Sequence, residues 1–166
     1  MPVATSPSAE IQERQMNSDL DTENQELAAR LTALVEEGND LSEKDADSRA
    51  IPLYLMAWEM LPEPKTRWEL FSAWIAGSLF NSHYDSGNYD EAKKWALTAY
   101  DARHHDEVTT EGMIEVGKAC FALDQLEEAY SWFARAFEID GRRAFSDEDP
   151  RYLVFYRART AQMKTL

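Results

Sequence analysis

From "ELAARLTALVEEG" (residues 26–38) to the C-terminus, apolar residues recur every third or fourth position. That period predicts amphipathic helices sharing a buried side. No segment alternates apolar and polar residues with the β-branched enrichment of a half-buried strand. Breaks fall at "GNDLSEKDADS", "PEPK", "DSGNYD", "ARHHDEVTT", "LDQ" and "DGRRAFSDEDP". They divide the chain into about seven helices with short connections, as in paired antiparallel helices. Residues 1–22 are polar and acidic with almost no apolar period, and read as a disordered tail. The fold class expected is all-α.

The stretch "AIPLYLMAWEMLPEP" (residues 50–64) holds the chain's most apolar run between two prolines. Interrupted by Glu59, it is well short of the roughly 20 residues that cross a bilayer. A helix remains, stopped by Pro62. Because proline cannot donate an intrahelical hydrogen bond, Pro52 is expected in the first turn, with the helix starting near Ser48.

The spacing within this stretch repeats. Ala50, Tyr54, Ala57 and Pro62 match Ala129, Phe133, Ala136 and Gly141, and more weakly Ala92, Ala96, Ala99 and His104. Gly38 precedes Ala50 by twelve residues, and Gly117 precedes Ala129 by the same twelve. Small residues at such positions let helices approach while large ones fill the spaces between. In these features the chain resembles the tetratricopeptide repeat (TPR) proteins, whose unit is a 34-residue helix-turn-helix. "GNDLSEKDADSRAIPLYLMAWEMLPEP" and "VGKACFALDQLEEAYSWFARAFEIDG" carry the likeness. It implies a short solenoid of about three repeats, near residues 31–64, 65–106 and 110–143 within 23–145, closed by a capping helix over 146–166. The middle repeat departs from the pattern by placing Phe80 in the glycine slot, and Gly77, one turn earlier, is the expected substitute for close approach.

Charge adds a direction. The formal net charge is −14, yet residues 141–166 carry Arg142, Arg143, Arg151, Arg157, Arg159 and Lys164 against Asp147, Glu148 and Asp149, a balance of +3. The first 140 residues therefore hold −17. Such a body repels nucleic acid phosphates and attracts basic protein surfaces through a salt-sensitive field. One cysteine, Cys120, cannot form an internal disulfide, and the N-terminus lacks the basic-then-apolar order of a signal peptide. A soluble cytoplasmic protein is the expectation, with no membrane segment and no nucleic acid partner.

Motifs that would specify an enzyme (GxxxxGK[ST], GxGxxG, GxSxG, HExxH, CxxC) do not occur. His104, His105 and Asp106, with His83 elsewhere, form the one metal-like cluster, and adjacent loop histidines rarely converge on an ion. Cys120 reads as a buried structural thiol rather than a nucleophile. Trp58, Trp68, Trp95 and Trp132 read as core, with Trp74 set apart as a candidate contact residue. No catalytic residue, cofactor or metal is expected.

In TPR proteins the first helix of each repeat lines a concave groove that holds a partner. By resemblance, those slots here are Val35, Asn39, Ser42 and Glu43; Trp74, Asn81, Tyr84 and Asp85; and Glu111, Ile114, Lys118 and Phe121. Asn39 and Asn81 fall where family members hydrogen-bond a bound peptide's backbone, and Trp74, Tyr84 and Phe121 supply hot-spot aromatics. The groove that grips a C-terminal carboxylate in heat-shock co-chaperones is disfavoured, because Val35, Ser78, Glu111 and Glu115 stand where it needs cations. The expected function is non-catalytic capture of one specific basic protein. The likeness to short bacterial TPR proteins of polymorphic-toxin loci implies an immunity protein or adaptor for a toxin or effector. A type III secretion chaperone and a generic TPR scaffold are the alternatives, and the oligomeric state stays open.

Overall fold

A computed structural model describes residues 20–103 and 109–165. The helices, numbered here in chain order, are α1 (Leu20–Glu23), α2 (Gln25–Ser42), α3 (Asp47–Met60), α4 (Glu69–Asp85), α5 (Tyr89–Ala102), α6 (Glu111–Ala122), α7 (Leu126–Asp140) and α8 (Pro150–Lys164). Short 3-10 turns at Lys65–Arg67 and Gly141–Phe145 precede α4 and α8. From α2 to α8 each helix packs on its predecessor directly or through a 3-10 turn, and the first helices α2 and α4 also touch. The result is three helical hairpins, α2/α3, α4/α5 and α6/α7, stacked side by side with α8 closing the end.

Order begins earlier than the polar composition suggests. Residues 1–19 of the expected tail lie outside the described residues, but Leu20 to Thr22 are helical. Leu20 is buried, and Glu23 takes the Arg67 guanidinium at 2.8 Å. One apolar side chain thus docks the turn ahead of α2, whose first turn is capped by the Asn24 carboxamide accepting from the Leu27 amide at 3.1 Å.

The hairpin turns show the repeat most directly. Asp45, Gly87 and Asp124 each adopt positive φ, at 56°, 76° and 58°. After each, an amide reaches back five residues: Ala46 N–H to the Leu41 carbonyl, Asn88 N–H to His83 and Gln125 N–H to Cys120, at 2.8 to 2.9 Å. This is the Schellman ending, which satisfies carbonyls that the helix leaves unpaired. Aspartate stands in for glycine twice because its short polar side chain tolerates the left-handed region.

Helix approach follows the spacing of small residues. A Cβ placed on Gly38 would sit 2.4 Å from the Tyr54 ring, and one on Gly117 would sit 2.5 Å from the Phe133 ring. The middle hairpin inverts the arrangement. Sixteen residues separate Gly38 from Tyr54, Gly117 from Phe133 and Phe80 from Ala96. Phe80 and Ala96 are both buried. The large residue has moved to the first helix and the small one to the second, so the volume at that crossing is conserved. Gly77 plays no such part, contrary to the expectation: a Cβ there would meet nothing nearer than the Arg103 guanidinium at 3.8 Å. Gly77→Ala is therefore expected to raise stability by about 0.5–1 kcal/mol, since alanine is the better helix former. Urea denaturation measures the change.

Pro52 also differs from its expected place. The helix starts at Asp47, so Pro52 lies in the second turn, where it removes one intrahelical bond to the Ser48 carbonyl. Both residues are on the exposed side, and water can satisfy that carbonyl. The stop occurs as expected: Leu61 turns extended at ψ 125° just before Pro62. Of the tryptophans read as core, Trp68 and Trp95 are buried, whereas Trp58 and Trp132 pack against the core from its rim.

Candidate functional site

The expected groove residues separate into three groups, decided by what the rest of the chain places against them. Val35 and Ile114 are 0% and 1% exposed. They belong to the core and cannot line a groove, which corrects the reading of those slots. Matching slots about the glycine placed both in the groove; helix packing turned them inward.

A second group is already engaged by the protein itself. The Tyr54 hydroxyl donates to the Asn39 side-chain carbonyl at 2.8 Å, so that acceptor is taken. The Ser42 hydroxyl donates to the Asp47 carboxylate at 2.7 Å. The N-terminal half of α8 reaches the first helices of the second and third hairpins. There the Tyr152 hydroxyl shares a 2.5 Å hydrogen bond with that of Tyr84, and the Tyr152 and Phe155 rings meet Phe121 edge-on at 5.6 and 5.1 Å. Burial, then that hydrogen bond, drives the Tyr84 hydroxyl's pKa above the usual tyrosine range. Lys118 is tied to Glu148 at 2.7 Å and lies 5.4 Å from the centre of the Tyr84 ring. Two of the three proposed hot-spot aromatics are thus packed by the chain's own capping helix.

The third group remains exposed or partly so. Glu43, Asn81, Asp85 and Glu111 are exposed, and Trp74 is half-buried with its ring 6.3 Å from Phe71. Three of these five are acids. Asp85 ends α4 and feels two further acids, Asp45 in the turn after α2 and Asp47 at the start of α3. Its carboxyl is pushed above the usual range by desolvation first and Asp47 next, with Lys118 opposing. Sequence reasoning omitted Asp45 and Asp47, although the acidic run "EKDAD" signalled them.

Arg103 was also missed, inside a stretch read only as a connection. It crosses Gly112, where a Cβ would lie 3.2 Å from its Nη1, and meets Glu111 at 3.6 Å and Glu115 at 3.5 Å. Its Nη1 and the Glu115 Oε2 are buried and hydrogen-bonded to no protein atom. Glu115, 7% exposed, has its carboxyl pushed up to about 7, mainly by burial, with Arg103 pulling the other way.

Cys120 is fully buried, and burial raises its thiol to about 11 despite Lys93 nearby, the opposite of an activated nucleophile. His83 is buried, and its pKa is lowered by that burial. His104, His105 and Asp106 lie outside the described residues. Among those described, no three His, Cys, Asp or Glu side chains converge as metal ligands, and no helix is long and apolar enough to cross a membrane.

Among solved structures, the chain is similar to the C-terminal TPR-containing domain of a Plasmodium falciparum protein described as an FK506-binding protein. The TM-score is 0.66 at 16% identity, covering 85% of this chain and 93% of that one. At this identity the likeness concerns fold, and the fold is an all-α TPR solenoid. No protein-family model and no curated protein matches the chain.

Proposed function

We propose that this protein is a non-catalytic binding module that captures one basic protein partner on the acidic face formed by Glu43, Asp45, Asp47 and Asp85. The TPR fold itself points to protein partners. The observation that carries the charge preference is the crowding of Asp85 with Asp45 and Asp47, a set of carboxylates a partner's Lys or Arg would relieve. Trp74 and Asn81 supply the apolar and hydrogen-bonding contacts beside them. The partner class is a basic toxin or secreted effector, and the role that of an immunity protein or adaptor. That assignment rests on sequence resemblance and on the −17 carried by the first 140 residues.

Co-expression with the protein encoded next to it should yield a 1:1 complex that weakens as salt screens the surface charges. Asp85→Lys combined with Glu43→Lys should cost about tenfold or more in affinity. Co-purification that fails, or a complex indifferent to both salt and the double substitution, overturns the reading. Survival of cells expressing the neighbour only when this protein is present separates an immunity role from an adaptor role.

A further inference from the structure

Against the closing helix α8 lies a surface of the other sign. Between the Gly141–Phe145 turn and one side of α8 is an open recess of about 450 Å³. Pro150, Leu153, Val154 and Arg157, three and four residues apart, share the helix face that borders it. Phe145 forms the apolar floor at 5% exposure, while Val154 stands 64% exposed beside it. Packing of the cap does not account for Val154: the side chains of α8 that pack on the core are Tyr152, Leu153, Phe155 and Tyr156.

The charges of the recess are left unbalanced. Its carboxylate, Glu148, is already neutralised by Lys118 at 2.7 Å. Arg143 pairs with Asp140 at 2.9 Å yet stays 84% exposed. Arg142 and Arg157 pair with no acid among the described residues. Two guanidinium groups with no acid partner among the described residues, each able to hold a carboxylate bidentately, thus flank an exposed aliphatic shelf. The first 140 residues carry −17 and would repel an acidic ligand from the rest of the surface, confining it to this end.

We propose that the recess docks an acidic segment of a partner protein in which an aliphatic side chain is flanked by Asp or Glu. The aliphatic group covers Val154 and Leu153 over Phe145, and the carboxylates pair with Arg142 and Arg157. Its lining shares no residue with the acidic face, so a basic partner and an acidic one can be held at once.

The test is fluorescence anisotropy of the full chain with a labelled peptide of Leu flanked by Glu, against a matched peptide with Ser for Leu and one with Lys for Glu. Arg157→Glu, Arg142→Glu and Val154→Asp change exposed positions, and circular dichroism checks that each variant folds. Arg30→Glu, an exposed arginine in α2, serves as control. The Leu–Glu peptide should bind, each recess variant should weaken it about tenfold or more, and Arg30→Glu should leave it unchanged. Equal binding of the Ser peptide, or indifference to the recess variants, overturns the proposal. So does sedimentation showing self-association that the recess variants abolish while peptide binding persists, which makes a second copy the occupant. Stronger competition by a single-stranded oligonucleotide than by the unlabelled peptide would likewise refute it.

Discussion

Phe133→Ala is expected to destabilise the protein by about 3–5 kcal/mol, the range for removing a fully buried phenylalanine. For a chain of this size that lowers the melting temperature on the order of 10 °C. The ring is fully buried and lies 5.5 to 6.2 Å from those of Phe145, Tyr152 and Phe155, so it joins α7 to the cap as well as to α6. It is also the ring that Gly117 admits, since an added Cβ would come within 2.5 Å of it. Gly117→Ala should therefore cost about 1–3 kcal/mol by overpacking, although alanine favours the helix. The opposite sign expected at Gly77 makes the pair diagnostic. Thermal and urea melts of Phe133→Ala, Gly117→Ala and Gly77→Ala measure all three. A loss under about 1 kcal/mol for Phe133→Ala would show that the cap does not depend on this ring.

Glu115 sets the second large effect. Its folded-state carboxyl sits at about 7 against an ordinary value of 4.5. Each unit corresponds to about 1.4 kcal/mol, so the charged form is disfavoured by about 3 kcal/mol. Between those values the folded state binds more proton than the unfolded state, and stability falls as pH rises through the window. The favourable contribution is complete below about 4.5 and gone above about 7. Glu115→Gln, neutral at every pH, should be the more stable protein at pH 8 and should lose this slope. His83 contributes with the opposite sign, because burial lowers its folded pKa and its stability contribution grows with pH. The informative quantity is therefore the difference between wild type and Glu115→Gln from pH 4 to pH 8. Equal slopes for the two proteins would show that Arg103, 3.5 Å away, holds Glu115 ionised throughout.

Both effects mark where reading the sequence succeeds and where it stops. The Gly117 to Phe133 relation was legible because complementary volumes recur at fixed spacing along two neighbouring helices. The Glu115 to Arg103 relation was not, because Arg103 arrives from the end of another helix and Gly112 makes room for its guanidinium. Pro52 shows a milder limit: the helix boundary was read to within a residue, but exposure of the Ser48 carbonyl let proline sit one turn deeper.

Local periods and the alternation of small and large residues determined by themselves that this chain is helical, that its helices pair, and that Gly38 and Gly117 mark close approach. These properties depend on neighbours within one hairpin. Only the tertiary structure decided which residues remain available to a partner. Val35 and Ile114 were turned into the core, and Tyr84, Lys118 and Phe121 were covered by α8 and the residues just before it. Left outside were the acids near Asp85 at one place and the arginines around Val154 at another. The reason is physical: availability is set by whatever distant segment competes for a surface, and no spacing within a repeat records that competition.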